Sequence, residues 1–173
     1  MGLGDSVPFG FITQAGFQYV NPNNFIGFPE YAGQQLRFDV TNASCPGETS
    51  GSLLSASAVD NGCKAFRAGA PLHVSYGGTQ IDFATSFLQH HRETRLVTIL
   101  IGANDLFLLR DSCTGNPDPL CIQKGLPALL AKLGQNLDAT FQAIHQAGFH
   151  GVLVGVTYYS LNYNGGCPVV RRS

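Results

Sequence analysis

The sequence predicts an α/β fold built on a parallel sheet, and three observations carry that prediction. First, two stretches, 96–101 and 152–159, are rich in β-branched and aliphatic residues, as expected of strands covered on both faces. Second, a long segment, 121–147, repeats its apolar residues at helical spacing. Third, strand-like and helix-like segments alternate along the chain, so that successive strands are joined by helical crossovers of fixed hand.

The elements follow in order. A short strand covers 1–4, where Met1 and Leu3 precede Gly4-Asp5-Ser6. A short helix spans 29–36, with Pro29 in its first turn, where a missing N–H costs nothing. A second strand is predicted over 37–42, because Phe38 and Val40 alternate with Arg37, Asp39 and Thr41. Thr79 caps a further helix, with Asp82 three positions on and Ile81, Ala84 and Leu88 sharing one face. The strand 96–101 comes next. The long helix 121–147 then carries Ile122, Leu126, Leu129, Leu130, Leu133, Leu137, Phe141 and Ile144 on a common stripe, with a bend expected near Pro127 or Gly134. Gly148 ends it, and the last strand, 152–159, is entered through Gly148 and Gly151. No repeat, linker or low-complexity segment interrupts this pattern, so residues 1–173 read as one domain.

Composition narrows the function. The 173 residues are 44% hydrophobic and 12% charged, which fits a packed globular domain. A net charge of -1 with scattered Lys and Arg offers no footprint for nucleic acid or an anionic membrane. No apolar run approaches the roughly 20 residues that span a bilayer. Met1 is followed at once by Gly-Leu-Gly-Asp with no basic leader, so the chain reads as starting inside its first strand, as it would after removal of a signal. Five cysteines lack the spacing of a zinc or redox motif. Cys45 and Cys63, and Cys113 and Cys121, each bracket a loop-like stretch and predict two local disulfides, which leaves Cys167 unpaired and points to a secreted or cell-envelope protein.

Three motifs carry chemistry. Gly4-Asp5-Ser6 lies where a parallel strand ends and the chain turns sharply, the place where open α/β sheets present reactive groups. Asn42-Ala43-Ser44-Cys45-Pro46-Gly47-Glu48-Thr49 follows the second predicted strand, and Gly102-Ala103-Asn104-Asp105 follows the third. Singly each has an ordinary reading, as a turn, a loop and a helix cap. Together, in this order, they resemble the SGNH hydrolases, also called GDSL esterases and lipases, over nearly the whole chain. Val7 stands where leucine is usual in that family.

The resemblance implies a three-layer α/β/α sandwich with a flavodoxin-like parallel sheet, incomplete at its carboxyl end. It implies hydrolysis of a carboxylic ester through an acyl-serine, without metal or cofactor. Ser6 would attack; the backbone N–H groups of Ser6 and Gly47 and the side-chain amide of Asn104 would hold the oxyanion. Asp5, Gly102 and Asp105 would support these loops. The substrate would be a small ester, a lipid or an acylated sugar, and the protein a monomer.

One part of the family pattern is missing. The Asp-x-x-His segment that supplies the base does not occur, and the five histidines are His73, His90, His91, His145 and His150. His90 and His91 end a predicted helix beside charged residues; His145 and His150 belong to the far end of the sheet; His73 sits in a Pro-containing loop. None is expected to reach Ser6. The preferred expectation is that the chain holds the first four strands of a longer enzyme, with the base, and a partner for Cys167, beyond it. The apolar last strand agrees, being a poor unprotected sheet edge. The rival is an SGNH-like fold that binds a ligand without catalysis. Of the weaker signals, Asn42-Ala43-Ser44 matches a glycosylation sequon but is better explained by the motif containing it. Tyr158, Tyr159 and Tyr163 are candidates for lining a pocket or for packing. Gly77-Gly78 lacks the lysine of a phosphate loop.

Overall fold

A computed structural model of the chain describes residues 1–158. At its centre is a small open sheet of three parallel strands, β1 (Gly2–Gly4), β2 (Leu96–Leu100) and β3 (Val152–Gly155), in that spatial order. Gly2 stands opposite Thr98, and Thr98 opposite Val154. The central strand is the one with an unbroken run of apolar and β-branched residues, Leu-Val-Thr-Ile-Leu, and four of its five residues are buried. Parallel neighbours demand long crossovers, and the helices supply them. In chain order these are α1 (Ser6–Phe9), α2 (Phe28–Leu36), α3 (Ser50–Leu54), α4 (Cys63–Gly69), α5 (Gln80–His90), α6 (Ala103–Ser112) and α7 (Cys121–Gln146).

The predicted strand over 37–42 does not form. Arg37 instead ends α2 in the left-handed region (φ 56°), with Phe38 N–H returning to the Gly33 carbonyl at 2.9 Å. Val40 folds onto Gly33, where a Cβ would lie 2.1 Å from its Cγ2. The alternation that suggested a strand therefore serves the closing turn of a helix. Pairing with β1 begins only as this segment ends: Gly2 N–H donates to Thr41 O (2.9 Å), Ala43 N–H to Gly2 O (2.9 Å) and Cys45 N–H to Gly4 O (3.0 Å).

Elsewhere the expected elements appear with shifted ends. The helix over 29–36 begins at Phe28. Thr79 and Asp82 cap α5 reciprocally, side chain to backbone in both directions. The helix α7 is a single span that passes through Pro127, and Gly148 follows its cap at φ 82° with its N–H on the His145 carbonyl. The last strand stops at Gly155; Tyr159 lies outside the described residues. Helices α3, α4 and α6 are short or weakly patterned and the periodicity did not single them out.

Leu3, Val97 and Ile99 from the sheet pack with Ala84 and Leu88 of α5, Leu53 of α3, Ile144 of α7, and Phe149. A second, aromatic cluster gathers Phe9, Phe25 and Phe66 around the Cys45–Cys63 disulfide. The other disulfide, Cys113–Cys121, closes the loop between α6 and α7. Both pairings match the expectation, and Cys167 lies outside the described residues. No helix among the described residues is long and apolar enough to cross a membrane. Val152 and Val154 are 61% and 37% exposed, so β3 is an open apolar edge among the described residues.

Gly4 is the tightest point of the sheet. Its φ is +128°, and a Cβ would sit 1.9 Å from the Leu100 carbonyl oxygen. Gly4→Ala is expected to lower the unfolding free energy by about 3 kcal/mol or more, combining backbone strain with a collision against fixed backbone. Gly69→Ala, at the exposed end of α4 with no atom within 4 Å of the new Cβ, is expected to stay within about 0.5 kcal/mol of wild type. Urea unfolding of the two variants measures the contrast.

Candidate active site

The carboxyl ends of β1 and β2 and the turn after residues 41–45 meet at one end of the sheet. At the end of β1 the chain passes from Gly4 to Asp5, which caps α1: its Oδ1 accepts from Val7 N–H at 3.1 Å. The four-residue helix is closed by Gly10 at φ 79°. Ser6 is therefore the first helical residue. It is half-buried, and neither its Oγ nor its N–H has a hydrogen-bond partner among the described residues.

Gly47 occupies the left-handed region at φ +84°, where a Cβ would approach the Asn61 carbonyl oxygen to 2.5 Å. Its own carbonyl accepts from Asn61 N–H at 2.8 Å, and its N–H has no partner among the described residues. The Cys45–Cys63 disulfide ties together the two strands of chain that make this contact. Beyond β2, Gly102 turns the chain at φ +125° into α6. Asn104 in the first turn is buried. Its Oδ1 accepts from Asn61 Nδ2 (2.8 Å) and its Nδ2 donates to Glu48 O (2.9 Å). Those two partners fix which end of the amide is which, and among the described residues one of its two N–H donors is unused. Asp105 accepts from both the N–H (2.9 Å) and the Oγ (2.6 Å) of Ser50 at the start of α3, and Asn136 of α7 donates to the same Oγ at 2.9 Å.

Ser6, Gly47 and Asn104, with Asp5, Gly102 and Asp105, are thus all at this end of the sheet. Asn104 and the Gly47 turn are joined directly. No hydrogen bond joins Ser6 to either; the connection runs through Cys45 N–H on Gly4 O and through Tyr158. The Tyr158 hydroxyl donates to Asp5 Oδ2 and accepts from Ala103 N–H at 3.1 Å, bridging the first and third motifs. Tyr158 is accordingly an anchor between loops; Tyr159 and Tyr163 lie outside the described residues. Asn42 cannot serve as a glycan acceptor in this fold: it is 2% exposed, and its amide donates to Pro8 O and to Glu30.

Two carboxyl groups here are displaced in the same direction. Burial pushes Asp5 up to about 6, only partly opposed by the Tyr158 hydroxyl and the Val7 N–H. Burial pushes Glu48 up to about 7, opposed by the Ser52 hydroxyl and reinforced by the nearby charge of Asp60. Burial and the neighbouring Asp5 also hold the Tyr158 phenol firmly protonated. Glu48, Gln80 and Asn61 were not singled out from the sequence, and Tyr158 stood out only as a pocket or packing candidate, without its Asp5 partner. Glu48 had a signal, since it stands next to Gly47 inside a recognised motif; Asn61 and Gln80 reach the site only through folding. Cys45, Glu48 and Cys63 cluster closely enough for a metal ion, but the two sulfurs are bonded to each other and offer no thiolate.

The histidines lie apart. His73 Nε2 bonds the Phe9 carbonyl at 3.0 Å and its ring rests on Phe9. His90, His91, His145 and His150 are exposed. His91 and His150 border cavities at the opposite, amino end of the strands, including one of about 700 Å³ beside Met1 and Leu96. No protein-family profile, curated protein or solved structure matches the chain.

The raised Glu48 carboxyl links stability to pH. Its ordinary value is 4.5 and its folded value about 7, so the folded state holds a proton that the unfolded chain releases. Stability is full below the ordinary value and is lost as pH rises towards the folded one. Glu48→Gln removes this dependence. Its stability relative to wild type should rise between about pH 4.5 and pH 7 and level off above, as read from urea midpoints across that range.

Proposed function

We propose that this chain is an SGNH-type serine esterase domain, its small parallel sheet belonging to a three-layer α/β/α sandwich of flavodoxin-like topology. The observation that carries the reading is the Asn104 amide. It is locked by Asn61 and Glu48 and, among the described residues, keeps one N–H to spare at the same end of the sheet as the N–H groups of Ser6 and Gly47, which have no partner there. Three neutral donors at the end of the sheet that carries the Ser6 hydroxyl suit a tetrahedral oxyanion, since none depends on pH.

In this mechanism Ser6 Oγ attacks the ester carbonyl carbon as its proton leaves to a base. The carbonyl electron pair moves onto oxygen, where the Ser6, Gly47 and Asn104 donors receive it. Collapse expels the alcohol, which takes up a proton, and leaves an acyl-serine. Water repeats the cycle and releases the carboxylic acid. Candidate substrates are short-chain acyl esters, lipids or acetylated sugars. Two disulfides suit an oxidising location, secreted or in the cell envelope. A second reading, a binding fold without turnover, is favoured by one observation: among the described residues no histidine bonds Ser6.

Hydrolysis of p-nitrophenyl acetate and butyrate tests the proposal. Turnover is expected to vanish in Ser6→Ala, and Asn104→Ala is expected to lower kcat by about 10²–10³-fold. Turnover that survives Ser6→Ala would remove Ser6 as nucleophile. Saturable ester binding with no turnover would support the second reading.

A further inference from the structure

We infer that Gln80 is a positioning residue for the Ser6 centre, its one side-chain amide holding the end of β1 and the Gly47–Glu48 turn in fixed relation. The inference rests on the esterase reading and adds a residue to it. Gln80 is the first residue of α5 and is 1% exposed. Its Oε1 accepts from Gly4 N–H at 2.6 Å, and its Nε2 donates to Gly4 O at 3.0 Å and to Glu48 Oε2 at 3.2 Å. Both amide hydrogens are therefore used, and the amide has one allowed orientation: reversed, it would set its NH2 against the Gly4 N–H.

The reason a side chain is needed there lies in the pairing of β1. Gly2 N–H takes the Thr41 carbonyl, so the same register would give Gly4 N–H the Ala43 carbonyl. That carbonyl instead accepts from the Tyr76 hydroxyl at 3.0 Å. The Gln80 amide takes the place of the missing peptide group and adds what a strand could not, a bond to Glu48. Glu48 in turn receives the Ser52 hydroxyl on its carboxylate and the Asn104 amide on its carbonyl. The path from Gly4, two residues before Ser6, to Asn104 thus runs through Gln80 and Glu48. Gln80 itself is anchored at a helix start fixed by the reciprocal Thr79–Asp82 cap.

The test uses the full chain carrying Gln80→Met, which fills the same space without polar atoms. Amide hydrogen exchange is followed at Gly4 and at Thr98, whose N–H bonds Met1 O elsewhere in the sheet. Exchange at Gly4 is expected to accelerate by about tenfold or more with Thr98 unchanged. With p-nitrophenyl butyrate, kcat is expected to fall about 10²-fold while KM moves by less than about twofold, the mark of lost transition-state geometry. If Gly4 and Thr98 accelerate together, Gln80 merely supports the fold and the inference is overturned. Faster Gly4 exchange with unchanged kcat overturns it as well. Should Gln80→Met fail to fold, Gln80→Asn keeps the amide but shortens its reach by one methylene, and the same readouts apply. A wild type that never turns over ester fells the esterase reading and the catalytic half of this inference together. Unchanged Gly4 exchange in Gln80→Met fells the clamp alone, even in an active enzyme.

Discussion

The close approach of Gly4 to the Leu100 carbonyl is the contact on which the rest of this end of the molecule depends. With no Cβ to hold them apart, β1 and β2 come together at the point where both strands finish. Asp5 N–H can then reach Leu100 O, and the turn into α1 begins at once. Ser6 is placed one residue later. A side chain at Gly4 would force the strands open and move Ser6 away from the loop that carries Asn104. The most demanding steric point of the sheet and the proposed nucleophile are thus two residues apart.

Around that contact the protein buries polar groups where most sheets bury aliphatic ones. Asp5 and Glu48 are both almost fully buried, and neither has an ion pair among the described residues. Uncompensated burial of a charge is expensive, and the protein answers with hydrogen bonds: Val7 and Tyr158 for Asp5, Ser52 and Gln80 for Glu48. The compensation is partial, as the raised protonation of both groups attests. What the network supplies is direction. The loops of the site are bonded to one another through side chains, two of them the amides of Gln80 and Asn104 with their ends fixed, and such a network rigidifies only while all its members are satisfied.

The Cys45–Cys63 disulfide and the aromatic cluster beneath it give this polar junction a dry floor. Phe9 touches Phe25, Phe66 and His73, so α1 is held down by its apolar end while its first residue, Ser6, stays half-buried. The opposite side of the sheet is less finished. Among the described residues β3 leaves Val152 and Val154 uncovered, a surface that a parallel α/β sheet ordinarily hides.

The strand at 96–100, the start of the last strand at 152–155 and the helices over 29–36, 79–90 and 121–147 were legible in the sequence because their signals are local. An unbroken β-branched run, a threonine-aspartate cap and a stripe at helical spacing act between residues close in the chain. The parallel α/β class follows from their alternation, and both disulfides from short loops between cysteines. The segment 37–42 misled because period-two alternation also describes a helix-closing turn, and only packing of Val40 onto Gly33 decides between them. Ser6, Gly47 and Asn104 stood out only through the resemblance that their three motifs carry together, each motif singly reading as an ordinary turn, loop or helix cap. The partners that orient them were not legible. Gln80 meets Gly4 across 76 residues and Tyr158 meets Asp5 across 153. The sequence by itself determined which backbone turns offer donors and a hydroxyl. The tertiary structure alone decided which buried side chains aim them, because a hydrogen bond between distant residues depends on where the chain returns, and periodicity carries no record of that.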